Sequence, residues 1–287
     1  MNRLLAGGLK WLMIVMSLSA SANALSENIQ IVGVGGHLVT LKDKTWGRPA
    51  AEAAVASFTA NGKTFPLYVP AVGTETHEAW LSPDKKTLLL LQTLYGVVIG
   101  QEGEEIPTEE TGCGVISMET GCVLSQHAAR FCYGKWEGNR WTSGEEDAPD
   151  LVMQTPSPKD LLKQVSNIEM PQSRVEELAF NLRTISPESY MACHPPARNV
   201  QAFNDLAFYL AEGGNDELAL KFYRGVEAVG KRTVLMLNIA DSLWRLDRKE
   251  EAQRYYREYR DAMSADGKAQ KIPQRVIERT AHQGMKN

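Results

Sequence analysis

Cys113, Cys122, His127 and Cys132 fall within one twenty-residue window, and a fourth cysteine, Cys193, stands beside His194. Thiolates and imidazole are zinc ligands, but structural zinc sites draw on paired C-x-x-C spacing, which these positions lack. An even set of cysteines is also the mark of a disulfide framework, here with three connectivities. Cys113, Cys122, Cys132 and Cys193 are therefore disulfide candidates, with a bridge among the first three favoured, and no metal site is expected. Cys193-His194 does not read as a catalytic pair, because a nucleophile and its base are normally brought together from separate positions. Pro187, Pro195 and Pro196 place the two residues in a loop.

Other chemistry would need local motifs that the chain lacks: G-x-S-x-G, H-E-x-x-H, a Walker loop or G-x-G-x-x-G. Gly33-Val34-Gly35-Gly36 has no following helix to hold a phosphate and reads as a hairpin turn. His37, His77, His127 and His282 each read as a surface or packing histidine and not as a ligand or base. Glu102, Glu104, Glu105, Glu109 and Glu110 read as a solvated acidic loop, without the alternating Asp/Asn pattern of a calcium site. Trp136, Trp141 and Tyr133 fit either an aromatic platform for a sugar or the core of a hairpin. No catalytic residue and no cofactor is expected.

The elements that must carry these residues follow a leader-like start. Arg3 and Lys10 flank a polar start, Trp11 to Ala20 is apolar, and Ala22-Asn23-Ala24 is a small-residue cleavage site. This predicts a signal peptide over residues 1–24 and a periplasmic or secreted chain. Losing Arg3 and Lys10 with that leader would take the formal charge from −4 to −6. Mild acidity disfavours nucleic acid as a partner. The longest later apolar run, Leu88 to Ile99, is interrupted by Gln92, Thr93 and Gly96, so no membrane span is expected.

Residues 25–148 read as an antiparallel β domain. Short β-type runs flank Gly35-Gly36, Asn61-Gly62, Glu119-Thr120-Gly121 and Glu137-Gly138-Asn139, and Asn61-Gly62 is the strongest hairpin signal. Leu88 to Leu91 and Tyr95 to Ile99 read as two further runs, and Trp80 to Leu88 as strand, turn and strand. A proline-containing linker at 149–158 leads to a helical domain at 159–287. Within it, Asp160 to Val165 is a short helix, and Ser173 with Glu176 forms a capping box for a helix ending near Thr184. The expected fold class is thus α+β.

In the helical domain Leu206, Ala207, Leu210, Ala219, Tyr223 and Val226 recur thirty-three residues later as Ile239, Ala240, Leu243, Ala252, Tyr256 and Tyr259. Phe203, Leu206, Ala207 and Leu210 fall on one helical face. Gly213-Gly214-Asn215 and Asp247-Arg248 break the paired helices, and Gly230 is placed at a left-handed helix end. Small residues at 207, 219, 240 and 252 let helices approach while aromatics fill the next gap. The segments NDLAFYLAEGGNDELALKFYRGV and LNIADSLWRLDRKEEAQRYYREY resemble the tetratricopeptide repeat over residues 200–264, as units 200–232 and 233–264.

The resemblance implies two helical hairpins with a partner surface lined by each unit's first helix. Carried over by position, that surface is Gln201, Asn204, Phe208 and Ala211 in the first unit and Val234, Leu237, Asp241 and Trp244 in the second. Asn204, Phe208, Asp241 and Trp244 are the expected binding residues. Two units are too few to stand alone, so the helices at 173–184 and 273–282, and the β domain, are expected to cover the ends. The expected function is binding of a protein or peptide, as an adaptor, an assembly factor or an immunity-type inhibitor. The alternative is a cell-wall or glycan-active enzyme with its site in the β domain, around Glu102 to Glu110 with Trp136 and Trp141.

Overall fold

A computed structural model describes residues 28–42, 55–69, 72–143 and 151–281; the expected signal peptide and His282 lie outside these. The first sheet is a meander of β1 (Asn28–Val32), β2 (Leu38–Lys42), β3 (Val55–Ala60) and β4 (Lys63–Pro66), each antiparallel to the next. Asn61 and Gly62 both have positive φ, 51° and 73°, which matches the turn to the strand twist. Alternation along β2 and β3 turns Val39, Leu41, Ala56 and Phe58 inward.

The second sheet runs in the order β5 (Val72–Leu81), β6 (Thr87–Ile99), β7 (Glu105–Ser117) and β8 (Val123–Ala128). The expected strand breaks are absent. Residues 88–91 and 95–99 form one strand, and the acidic stretch is a loop only in part: Glu102 and Glu104 lie in the turn after β6, while Glu105, Glu109 and Glu110 pair with Ile99, Tyr95 and Leu94. Leu88, Leu90 and Ile116 face the main core, while Leu89, Leu91 and Val115 face a smaller one beneath the hairpin of β9 (Gly134–Glu137) and β10 (Arg140–Ser143). There the Trp141 ring centroid lies 5.5 Å from Trp80 and 5.2 Å from Trp136, and its indole N–H donates to the Phe131 carbonyl at 2.9 Å. Trp141 is 1% exposed and packs in this core, whereas Tyr133, edge-on to Trp80, is 52% exposed.

Eight α-helices follow among the described residues: α1 (Pro158–Val165), α2 (Pro171–Asn181), α3 (Pro187–Cys193), α4 (Val200–Glu212), α5 (Asp216–Glu227), α6 (Thr233–Arg245), α7 (Lys249–Ala265) and α8 (Gln274–Ala281). Ser173 does not open α2, which begins at Pro171. The capping box belongs to α1, where Ser157 and Asp160 bond each other's backbone N–H. The expected loop at Cys193 is helix α3, because Pro187 occupies the first helical position, where a missing N–H costs nothing.

This short helix joins the two halves. The Ser189 hydroxyl donates to the Gly121 carbonyl at 2.8 Å and accepts the Val123 N–H at 3.0 Å, while Ser186 N–H reaches the Leu67 carbonyl at 3.0 Å. Tyr190 packs edge-on against Phe203 of α4 and Phe222 of α5. The bridge Cys122–Cys193 fastens α3 to the start of β8, and Cys113–Cys132 closes the smaller core. One continuous cluster of buried side chains runs from the β-sheets through α7.

Helices α4–α5 and α6–α7 are two antiparallel hairpins closed by matching turns. Asn215 N–H bonds the Leu210 carbonyl at 2.8 Å, and thirty-three residues on Arg248 N–H bonds the Leu243 carbonyl at 2.9 Å. Gly214 and Asp247, at the same place in each turn, have φ of 89° and 60°. Gly230 is not in the left-handed region, since α5 has already ended at Glu227. The Arg245 guanidinium grips the Asp216 carboxylate through two bonds of 2.6 and 2.8 Å, tying α6 to α5. No helix among the described residues is long and apolar enough to cross a membrane.

Candidate functional site on the inner helices

Helices α4 and α6 bury one stripe each, Phe203, Leu206, Ala207 and Leu210 in α4 and Leu235, Ile239, Ala240 and Leu243 in α6. Their opposite stripes hold the residues expected to meet a partner. Between the N-terminal turns of α4 and α6 lies a cleft of about 240 Å³, with Val200, Val226 and Val234 as apolar wall and Gln201, Asn204 and Arg232 as polar rim. The Asn204 carboxamide oxygen accepts from Asn238 Nδ2 at 3.2 Å, bridging the two helices at this cleft. Gln201 Nε2 donates to Asp205 at 2.8 Å. Farther along α4, Phe208 is 42% exposed with its ring tilted against Tyr209.

The second unit presents a different surface. Asp241 and Trp244 lie under α8. Arg275 Nη2 reaches the Asp241 carboxylate at 2.8 Å, Arg279 Nη1 at 3.1 Å, and the Tyr256 hydroxyl donates to it at 2.6 Å. Burial opposes ionisation of this carboxyl, but the bonds from Arg275 and Tyr256 and the two guanidinium charges outweigh it, leaving its pKa below the usual value. The Arg279 guanidinium sits 4.8 Å from the Trp244 ring centroid, a cation–π contact. Ala211 is buried, and Leu237 packs against the main core.

The structure thus brings Asn204 together with Asn238 beside an open cleft, and separates Asp241 and Trp244 from it under a closing helix. Sequence reasoning missed Asn238, Arg232 and the Arg275/Arg279 pair. The last was readable: arginines four apart on one face of a short terminal helix can share one carboxylate.

Among the other chemistry-bearing residues, the side chain of His77 lies outside what is described. All four cysteines are in disulfides. His194 is half-buried, with Nε2 3.1 Å from the Thr155 carbonyl and its ring edge-on to Tyr190. Ser125 Oγ and His127 Nε2 are 2.9 Å apart on β8, and desolvation lowers the histidine pKa. Ser125 is only 3% exposed, and no acidic side chain bonds this pair among the described residues. No cluster of three or more His, Cys, Asp or Glu side chains with metal-holding geometry occurs among the described residues. No family model and no curated protein matches the chain.

Proposed function

We propose that this protein is an exported binding module that holds a protein or peptide segment on the inner face of a tetratricopeptide-like pair of hairpins. The binding face is the first unit, Gln201, Asn204 and Phe208, together with Val234 across the cleft. The observation that carries this proposal is the α4–α6 cleft, apolar in its walls, with Gln201, Asn204 and Arg232 at its rim and the exposed Phe208 ring farther along the same helix. Amide side chains bond extended backbone of any sequence, and an exposed phenylalanine supplies an apolar anchor. Two disulfides support export, since such bonds persist in oxidising compartments. The adaptor, assembly-factor and inhibitor readings all rest on this face.

The test is photocrosslinking of the full chain in its producing cell, with a benzophenone amino acid at position 208 or 234 and at Lys221 on the exposed outer side of α5 as the reference. The proposal expects one discrete protein adduct from 208 and 234 that is lost with Asn204→Ala. Equal adducts from position 221, or none from 208 and 234, would overturn it.

A further inference from the structure

Beyond the helical face, β6 and β7 build a second surface. They pair along their whole length, from Thr87 with Ser117 to Ile99 with Glu105. The flanking strands stop early: β5 pairs with β6 only as far as Leu94, and β8 pairs with β7 only from Gly112. Residues 95–111 therefore leave the sheet as a two-stranded ribbon that runs about 17 Å before its turn. The tip is a defined turn, with Gly100 N–H bonded to the Glu104 carbonyl at 2.8 Å and Gly103 at a φ of 83°.

The ribbon's composition is unusual for an unsupported hairpin. Val97, Val98, Ile99 and Ile106 are 55%, 50%, 67% and 43% exposed. The register puts Val98 and Ile106 opposite each other on one face, and Val97 and Ile99 on the other. Each face mixes these apolar side chains with carboxylates, Glu105 and Glu109 on the Val97 and Ile99 face and Glu110 on the other, and both outer edges lie beyond the last residue paired to a described flanking strand. Two-stranded ribbons are marginal in water, and exposed apolar strands with open edges invite pairing with another chain. The ribbon also carries Glu102, Glu104, Glu105, Glu109 and Glu110, all exposed, and no Lys or Arg occurs between Lys86 and Arg130.

We infer that the ribbon is a docking arm for a basic protein, laying the apolar side chains behind its acidic turn against an apolar surface bordered by lysine or arginine. Charge selects this occupant. Edge-to-edge pairing of two copies would bring two sets of five carboxylates together without an intervening cation, and the whole chain has a formal charge of −4. An anionic membrane or a nucleic acid would meet the same repulsion. A basic rim turns the carboxylates into steering groups, while Val97, Val98, Ile99 and Ile106 supply the contact that outlasts the encounter.

The arm is tested separately from the helical face by placing the photoreactive residue at Val98 or Ile99 of the full chain in its producing cell. The expected result is one adduct to a protein with an isoelectric point above neutrality. With that protein purified, changing all five ribbon glutamates to Gln should slow association about tenfold or more at low salt, and Val98→Ser with Ile106→Ser should speed dissociation. A third variant, residues 97–107 replaced by Asn-Gly, should abolish the adduct while leaving the thermal midpoint within the scatter of the parent, because the arm lies outside both cores. An adduct of twice the chain's own mass, an adduct to an acidic protein, kinetics indifferent to the Gln changes, or no adduct would each overturn the inference.

Discussion

The two helical hairpins share a core and differ in their faces. At the repeating interior positions the units match: Leu206 and Ile239, Ala207 and Ala240, Ala219 and Ala252, and Tyr223 and Tyr256 are all at most 1% exposed. On the inner face, thirty-three residues separate exposed Phe208 from Asp241 under α8, and Ala211 from Trp244. Close packing constrains interior volume to within a methylene, so the interior repeats faithfully. The face is free to diverge, and here it diverges into an open first unit and a closed second one. The recurring positions are the shared interior of the two hairpins, and the positions that do not recur are where their surfaces differ.

The comparison is broken most severely in the interior. Leu206→Ala and Ile239→Ala should each cost about 2–5 kcal/mol in urea unfolding, with similar values; a much smaller loss at one site would show that the units are not equivalent in packing. Replacing Cys122 and Cys193 by Ser should cost about 2–4 kcal/mol, given the length of chain the bridge closes. Since α3 packs on α4 and α5, hydrogen exchange should rise more in the first hairpin than in the second.

Asp241→Asn should cost about 1–2 kcal/mol, seen as faster exchange confined to residues 274–281. The same contact gives a pH dependence. The folded carboxyl titrates below its unfolded value, so its stabilisation is complete above about pH 4 and fades as the pH falls through the folded pKa. Acid should loosen α8 in the parent and have no such effect in Asp241→Asn. The smallest effect on stability belongs to Phe208→Ala, within about 0.5 kcal/mol, yet this change should remove the adduct captured from position 234. Loss of stability without loss of the adduct would place Phe208 in packing.

Much of the fold was legible where a residue type answers a local requirement. Asn61-Gly62 marked its hairpin because both residues accept positive φ, and the thirty-three-residue recurrence marked two hairpins because small and aromatic residues alternate at helical spacing. The order of an antiparallel β region before a helical one followed from those signals. What escaped was set by tertiary partners. The glutamates at 105, 109 and 110 resemble a loop until Ile99, Tyr95 and Leu94 pair with them, and Pro187 resembles a breaker until Ser186 caps a helix in front of it.

The candidate site divides in the same way. The exposure of Phe208 was readable from its place off the apolar stripe, whereas Asn204 is half-buried and bonded to Asn238. The burial of Asp241 and Trp244 depends on where α8 folds back, which no local pattern states. Aromatic residues at 136 and 141 fit a platform or a core equally well in sequence, and the position of Trp80 against them makes the core.

Hydroxyl-radical footprinting of the chain, alone and joined to the partner trapped from position 234, tests the difference between the two units most directly. Open and closed faces predict that Phe208 is oxidised rapidly in the free chain and protected in the complex, while Trp244 is slow in both and becomes fast when Arg275 and Arg279 are changed to Ala. Rapid oxidation of Trp244 in the free parent chain, or a Phe208 rate unchanged by the partner, would contradict the account.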